Sequence, residues 1–324
     1  MAERDLSDQL VKYLTDVHSI EEQALVQMRR APKIAGDDEI SEIFVQHLHE
    51  TERQEERVRD GLTACGGEPS KLKDLAGRAG GVGMVMFARA QPDTPGKLVA
   101  HAYSYEHLEI AAYELLGGIA QRASSPEIDA MAREICAEER RMAGRLESVF
   151  DRAAEASLRE VSPDDLAEQL TKYLADAHAI EEQAAAMLER APEITGVPEL
   201  ARVYEEHLGE TREHERRVRE RLEDHGASPA GLKDAAMRLG ALNWGAFFAA
   251  NPDTPAKLAG FAFAFEHLEI AGYEELRRVA SQAGDPETVR VAERNLAEER
   301  AAARKIAVQW EPAIDASLAQ VAPA

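Results

Sequence analysis

The sequence has few cysteines and no long apolar run, and each shortage excludes a class of protein. Cys65 and Cys136 are the only cysteines, which argues against a disulfide framework or a thiolate metal site and is typical of a reducing compartment. No apolar stretch approaches the roughly 20 residues that a membrane-spanning helix needs. The first residues show no basic segment followed by an apolar one, so we expect no secretory signal and a cytoplasmic location.

Positive charge is also scarce. The 324 residues include 38 Lys and Arg against 60 Asp and Glu, which gives a formal net charge of -22. A surface of this charge repels nucleic acids and anionic membranes and attracts cations. We therefore expect neither nucleic acid nor a membrane as a partner, and we consider metal ions. The same charge is equally compatible with a role in solubility alone.

The chain contains two copies of one unit. Residues 5–164 align with residues 165–324 without a gap. The segment DLSDQLVKYLTDVHSIEEQA returns as DLAEQLTKYLADAHAIEEQA, and PDTPGKL returns as PDTPAKL. This tandem duplication predicts two domains of the same fold, 1–160 and 161–324, joined by a short link at SLREVSPDD.

Each half has the periodicity and composition of helices rather than strands. In the first half we expect helices over about 6–30, 38–63 and 126–155, and a third helix, in chain order, that starts near Thr94 as N-cap with Pro95 in its first turn. The long segment before Thr94 contains SKLKDLAGRAGG, predicted to be a short helix in a crossover. The predicted fold class is all-α: two tandem ferritin-like four-helix bundles, each with a long connection between helices two and three.

Carboxylates occur inside the apolar stripes of these helices. On the third helix one face carries an identical row in both halves, namely Ala102, Glu106, Glu109, Tyr113, Leu116 and Ala120. Glu21 interrupts the stripe of the first helix, and the second helix places His47, Glu50 and Gln54 on one side. On the fourth helix Glu138 is on the stripe and Glu139 on the neighbouring row, so the choice between them stays open, as it does between Glu298 and Glu299.

A buried, ionised carboxylate without a partner is costly, and several together cannot all stay ionised. Divalent cations would neutralise them, and oxygen ligands with one imidazole favour iron or manganese, with zinc possible. We therefore expect two divalent ions in each bundle. The candidate ligands are Glu21, His47, Glu50, Glu106, Glu109 and Glu138, and in the second half Glu181, His207, Glu210, His214, Glu266, Glu269 and Glu298. His18 and His107 are off these rows and are expected to support the site or an interface. Each motif alone is also common on solvated helix surfaces.

Each half of the sequence resembles the YciF-like family of ferritin-like bacterial stress proteins. In the first half the motifs that carry the resemblance are EEQA, FVQHLHETERQEERV, YEHLEIAAYE and AEER. The resemblance implies an internally paired version of a bundle that is usually a dimer, with further self-association left open. Glu21, Glu109 and Glu138 match the glutamates of the wider ferritin superfamily pattern, and His47-x-x-Glu50 carries its second-helix pair inverted. Arg141 and Ala301 stand where a histidine is expected, and Glu106 could supply the missing ligand.

Two functions from different classes follow. The first is a di-metal redox protein of a stress response that reacts with oxygen or peroxide, either as a ferroxidase or di-iron oxidase or as a manganese catalase-like enzyme. The second is a non-catalytic stress or scaffold protein with vestigial metal sites. No separate catalytic residue is indicated, because the chain has no nucleophile motif or phosphate-binding loop.

One candidate ligand differs between the halves: Gln54 corresponds to His214. Imidazole is a better ligand for Fe(II) than carboxamide, so we expect unequal sites. Around Glu138 the first half has Met131, Ile135 and Met142, where the second has Val291, Asn295 and Ala302, which predicts a wetter second site. The alternative is that His214 lies at the bundle edge in contact with solvent.

Overall fold

The computed structural model describes residues 3–70, 94–227 and 254–321, and the regular elements within these ranges are all helical. The all-α prediction is therefore confirmed. The short helix predicted from SKLKDLAGRAGG falls almost wholly outside the described residues. None of the described helices combines the length and apolar character needed to cross a membrane.

The chain divides into two compact units, Met1–Leu158 with the final residue and Arg159–Pro323. Helices are labelled in chain order through the described residues. The first unit contains α1 (Glu3–Met28), α2 (Asp38–Ala64), α3 (Thr94–Arg122), α4 (Pro126–Ser148) and α5 (Phe150–Leu158). Helix α1 packs on α2 and α3, and α4 packs on the other sides of α2 and α3, so these four long helices enclose one interior.

The second unit repeats this arrangement. It contains α6 (Leu166–Leu188), α7 (Ala191–Thr195), α8 (Pro198–Asp224), α9 (Thr254–Gln282), α10 (Pro286–Ala307) and α11 (Trp310–Val321). Helices α6, α8, α9 and α10 pack in the same cyclic order as α1, α2, α3 and α4. Short 3-10 turns occur at Ala31–Lys33 and Pro163–Asp165.

Several helix ends follow directly from the local sequence. Asp37 caps α2 by accepting hydrogen bonds from the backbone N–H groups of Glu39 and Ile40, at 3.0 and 3.3 Å. Helix α2 ends where Gly66 takes φ +78° and the N–H of Gly67 bonds to the carbonyl of Leu62 at 2.9 Å. This is a Schellman closure, which needs the left-handed conformation that glycine adopts without strain.

The fourth predicted helix is broken rather than continuous to Glu155. The backbone leaves helical geometry at Val149, and α5 then packs on α3. Its first residue, Phe150, packs edge-on against Tyr103 with ring centroids 5.3 Å apart. The hydroxyl of Ser157 accepts a hydrogen bond from the N–H of Gly96 at 2.8 Å, so α5 also satisfies an unpaired donor in the first turn of α3.

The interior of the first unit is largely apolar, and one level of it carries several buried carboxylates and a histidine. Leu14, Met28, Phe44, Leu116 and Ile135 are fully buried or nearly so. On each long helix, the polar residues of this level are three or four positions away from apolar ones. Residues with this spacing share one face of a helix, so both kinds point inward.

Candidate metal centre

In the first half, four helices bring acidic and imidazole side chains to one buried level. One ligand atom from each of His47, Glu106, Glu109 and Glu139 lies within 4.8 Å of every other. Helix α2 supplies the histidine, α3 the pair Glu106 and Glu109, and α4 supplies Glu139. We call these four residues the His47 cluster. Glu21 of α1 is 0% exposed and interacts electrostatically with His47 and Glu106, so it lies beside this cluster.

The second half builds the equivalent His207 cluster from His207, Glu266, Glu269 and Glu299. A further group in this half consists of Glu181, His214 and Glu299, which satisfies the same distance criterion and shares Glu299 with the first group. All these side chains are buried.

Many polar atoms in these clusters have no hydrogen-bond partner. Both carboxylate oxygens of Glu106, Glu139, Glu266, Glu269 and Glu299 are buried and unbonded, and so are Nε2 of His47 and of His207. Such atoms are rare in native interiors, because each costs its desolvation free energy without compensation. Their ion pairs within the described ranges are to histidine alone; the nearest in the first half is His47 Nε2 to Glu106 Oε1, at 3.2 Å. The donor set fits a divalent cation.

The crowding of carboxylates perturbs their ionisation. Burial raises the pKa of Glu21 to about 8, although a hydrogen bond from Tyr113 and the charge of His47 act in the opposite direction. Burial, together with the charges of neighbouring glutamates, raises the pKa of Glu109 and Glu139 well above the usual value. Burial alone would lower the pKa of His47, but Glu106 and Glu50 raise it to about 9. Without metal, the first cluster therefore holds protons.

Each cluster histidine is oriented by a glutamate outside the cluster. Nδ1 of His47 bonds to Glu50 Oε2 at 3.1 Å, which leaves Nε2 facing the cluster. Glu50 is itself paired with Arg145 of α4. In the second half Nδ1 of His207 bonds to Glu210 Oε2, also at 3.1 Å. A carboxylate behind a ligating imidazole fixes its orientation and increases its basicity.

Five of the predicted ligands belong to none of these groups: Glu21, which lies beside the His47 cluster, and four that make other contacts. Glu50 and Glu210 contact the far nitrogen of a histidine rather than the cluster. Of Glu138 and Glu139, between which the sequence left the choice open, Glu139 takes the inward position, whereas the side chain of Glu138 is 29% exposed and pairs with Arg57 at 3.2 Å. In the second half Glu298 pairs with Arg217 at 2.7 Å, and Glu299 is inward. An arginine reaching across from the neighbouring helix draws the first glutamate of each pair outward.

His47, Glu106 and Glu109 lie in one cluster, and so do His207, Glu266 and Glu269, while Glu181 and His214 lie in the further group. His214 is 0% exposed, so the alternative that it touches solvent at the bundle edge is wrong. His18 is away from the His47 cluster and bonds through Nε2 to Glu55 at 3.1 Å, and Nδ1 of His107 bonds to the carbonyl of Tyr103 at 2.8 Å.

The pattern did not reveal the polar partners of the second half. Asn295 is fully buried, donates to the hydroxyl of Tyr273 at 2.9 Å and accepts from Arg217 at 2.7 Å. Tyr273 in turn donates to Glu181. In the first half Ile135 replaces Asn295, while Tyr113 still donates to Glu21. The only sequence signal was the Ile-to-Asn difference itself, which indicated polarity without naming a partner.

A family model described as a domain of unknown function (DUF892) matches residues 5–159 and again residues 165–319. The chain belongs to the DUF892 family. The two matches cover the two halves in succession, as a tandem duplication requires. Each DUF892 copy contains one complete histidine–glutamate cluster. No solved structure matches the chain.

Proposed function

We propose that the protein is a divalent-metal protein in which each DUF892 half is a ferritin-like bundle with a metal centre at its interior polar level. The observation that carries this proposal is the convergence of buried, unbonded carboxylate oxygens on one imidazole, found in both halves. A set of this kind without a cation requires protonation of groups that are ordinarily ionised at neutral pH.

The donor set supports iron or manganese, with zinc as a further candidate. Carboxylate oxygens are hard ligands and imidazole suits iron, manganese and zinc, whereas the two cysteines take no part in either cluster. His47, Glu106, Glu109 and Glu139 would hold an ion in the first half, and His207, Glu266, Glu269 and Glu299 would do so in the second. Glu21 and Glu181 complete the respective centres.

A redox role in a stress response is the activity that we favour. Bound iron or manganese supplies one-electron chemistry toward oxygen or peroxide. The surrounding residues provide what such chemistry needs from a protein. The buried wall excludes water, Glu50 and Glu210 hold the imidazoles in place, and the hydroxyls of Tyr113 and Tyr273 hold a proton beside Glu21 and Glu181.

The resemblance to the YciF-like stress proteins supports this proposal at the level of the family, and the acidic composition is compatible with a cytoplasmic protein that attracts cations. Arg141 and Ala301 stand where the ferritin superfamily pattern has a histidine, so the proposed centre lacks one ligand of an ordinary ferroxidase. We propose oxygen and peroxide as the candidate oxidants.

The decisive experiment measures the metal content of the protein as purified, then loads the metal-free protein with Fe(II) under anaerobic conditions and adds oxygen or peroxide in separate samples. We expect stoichiometric Fe(II) binding and an oxidation rate above that of free Fe(II) with one of the two oxidants. Absence of metal binding would instead favour the scaffold function. Binding without accelerated oxidation would retain the metal centre and reject the redox role.

A further inference from the structure

We propose that the two halves hold different numbers of metal ions: the second half holds a pair that shares Glu299, and the first half holds a single ion. This inference rests on the proposed metal-binding function. It refines the expectation of two ions in each bundle.

Glu299 has the geometry of a shared ligand. Its Oε1 lies 2.6 Å from Nδ1 of His214, and its Oε2 lies 3.3 Å from Nε2 of His207. Each carboxylate oxygen thus faces a different imidazole. Glu299 is 0% exposed, and within the described ranges these two histidines are its only ion-pair partners. A carboxylate placed in this way can bridge two cations that lie about 3.5–4 Å apart, the usual separation in two-metal sites.

The second ion would have its own ligands. Glu181, His214 and Glu299 bring one ligand atom each within 4.8 Å of one another, and Nδ1 of His214 is 3.6 Å from Oε1 of Glu181. Oε2 of Glu181 is buried without a hydrogen-bond partner. One imidazole and two carboxylates are a complete protein ligand set for a divalent transition metal that also keeps water.

His214 is held for this role by the same device that orients His207. Its Nε2 bonds to Glu298 Oε2 at 2.7 Å, which leaves Nδ1 directed at Glu299. Each histidine of the second half therefore has a glutamate on one nitrogen and the cluster on the other. This is the arrangement by which proteins fix the orientation of ligating imidazoles.

The described residues of the first half do not form the second position. Gln54 replaces His214 and donates through Nε2 to Glu138 Oε2 at 3.0 Å, so it reproduces the contact to the outer glutamate. Its remaining oxygen is a neutral and weak ligand compared with imidazole. Within the described ranges Glu21 belongs to no group of three potential ligands, whereas its counterpart Glu181 does. The first half therefore retains one full ligand set, the His47 cluster.

The remaining group of the first half does not replace it. His18, Glu22 and Glu55 satisfy the distance criterion, but Arg59 binds both oxygens of Glu55 at 3.0 and 2.9 Å. A cationic side chain already occupies the carboxylate, so this group is an ion pair of helices α1 and α2 and not a second metal position.

The test uses the full metal-free chain and Mn(II) as the probe. Stoichiometry is measured by equilibrium binding, and electron paramagnetic resonance separates isolated Mn(II) from exchange-coupled pairs. We expect both signals in the unaltered protein. The H214Q variant should lose one ion and the coupled signal, and Q54H should gain one ion and a second coupled site. Because Gln54 shows that a glutamine fits this position and contacts the outer glutamate, H214Q is a conservative change.

Circular dichroism of the metal-free variants checks that each one folds. Equal stoichiometry in all three proteins, or a coupled signal that survives in H214Q, would overturn the inference while leaving the metal centres intact. If the unaltered protein bound no Mn(II), Fe(II) or Zn(II), the proposed function would fail and this inference with it. A gain of one ion in Q54H supports the inference even if H214Q folds poorly.

Discussion

Glu138 and Glu139 are adjacent on helix α4 but lie in opposite environments. Glu138 is 29% exposed and pairs with Arg57 at 3.2 Å, whereas Glu139 is fully buried with both oxygens unbonded. The nearest imidazole nitrogen, Nε2 of His47, is 3.9 Å from Oε2 of Glu139. One residue forms an ion pair at the rim and the other completes the cluster.

This difference gives a matched pair of variants. Glu139→Gln should weaken metal binding in the first half by more than about 100-fold, because loss of a ligand should exceed the 10–100-fold cost of losing an orienting group. Glu138→Gln removes the same charge from the neighbouring position and should leave metal affinity within a few-fold of the original. Metal titration of the two variants decides between them, and equal losses in both would contradict the assignment of Glu139.

Sequence periodicity could not choose between these two residues. Neighbouring helical positions are separated by only about 100°, so a broad apolar stripe admits either one. What separates them is a contact from another helix, Arg57 of α2, which no local pattern contains. The same limit explains Glu50: its spacing from His47 places both on one side of α2, but only the structure shows that Glu50 contacts the far nitrogen of the ring.

The inward face of the third long helix could be predicted because the same six residues occur along it in both halves. Glu106 and Glu109 occupy apolar positions twice, a pattern that a solvated face has no reason to keep, and both are buried as expected. The break at Val149 was not predictable. It depends on the packing of Phe150 against Tyr103 of α3, which is distant in sequence, and neither glycine nor proline marks the position.

Removing Glu109 and Glu269 together should abolish tight metal binding at the His47 and His207 clusters while leaving helical content largely unchanged. Both carboxylates are buried and their pKa values are raised by burial and by neighbouring glutamates, so their loss relieves crowding in the metal-free protein. We expect the metal-free Glu109→Ala, Glu269→Ala variant to melt no lower than about 5 °C below the original. Glu56→Ala, at an exposed position of α2, is the control. Unchanged metal stoichiometry in the double variant would refute the site.

The stability of the metal-free protein should fall as pH rises from about 6 to 9. The folded pKa of His47 is raised to about 9 from an ordinary 6.5, so its contribution is complete below the ordinary value and is lost as pH rises through the folded one. Glu21 acts in the same direction, because its pKa is raised from 4.5 to about 8. In this pH range the folded protein therefore binds more protons than the unfolded protein, and the free energy of unfolding falls as pH rises.

The metal-loaded protein should show the opposite trend, since its ligands must be deprotonated and acid releases the ion. Its melting temperature should fall as pH decreases below neutrality, and the gap between the loaded and metal-free forms should narrow. Thermal melts of both forms at a series of pH values measure this gap. Parallel profiles for the two forms would mean that the clusters do not exchange protons for metal.

Substitution of Glu50 distinguishes a residue that orients a ligand from one that binds the metal. Glu50 bonds to Nδ1 of His47 and pairs with Arg145, so Glu50→Gln leaves the His47 cluster complete but removes the charge that makes the imidazole a stronger base. We expect metal affinity in the first half to fall about 10–100-fold, with no change in stoichiometry at saturating metal. Glu139→Gln, in contrast, should lower the occupancy reached at the same metal concentration. Glu210→Gln provides the equivalent test on His207. Loss of binding at saturating metal in Glu50→Gln would show that Glu50 is itself a ligand. The prediction from the sequence for that residue would then be correct.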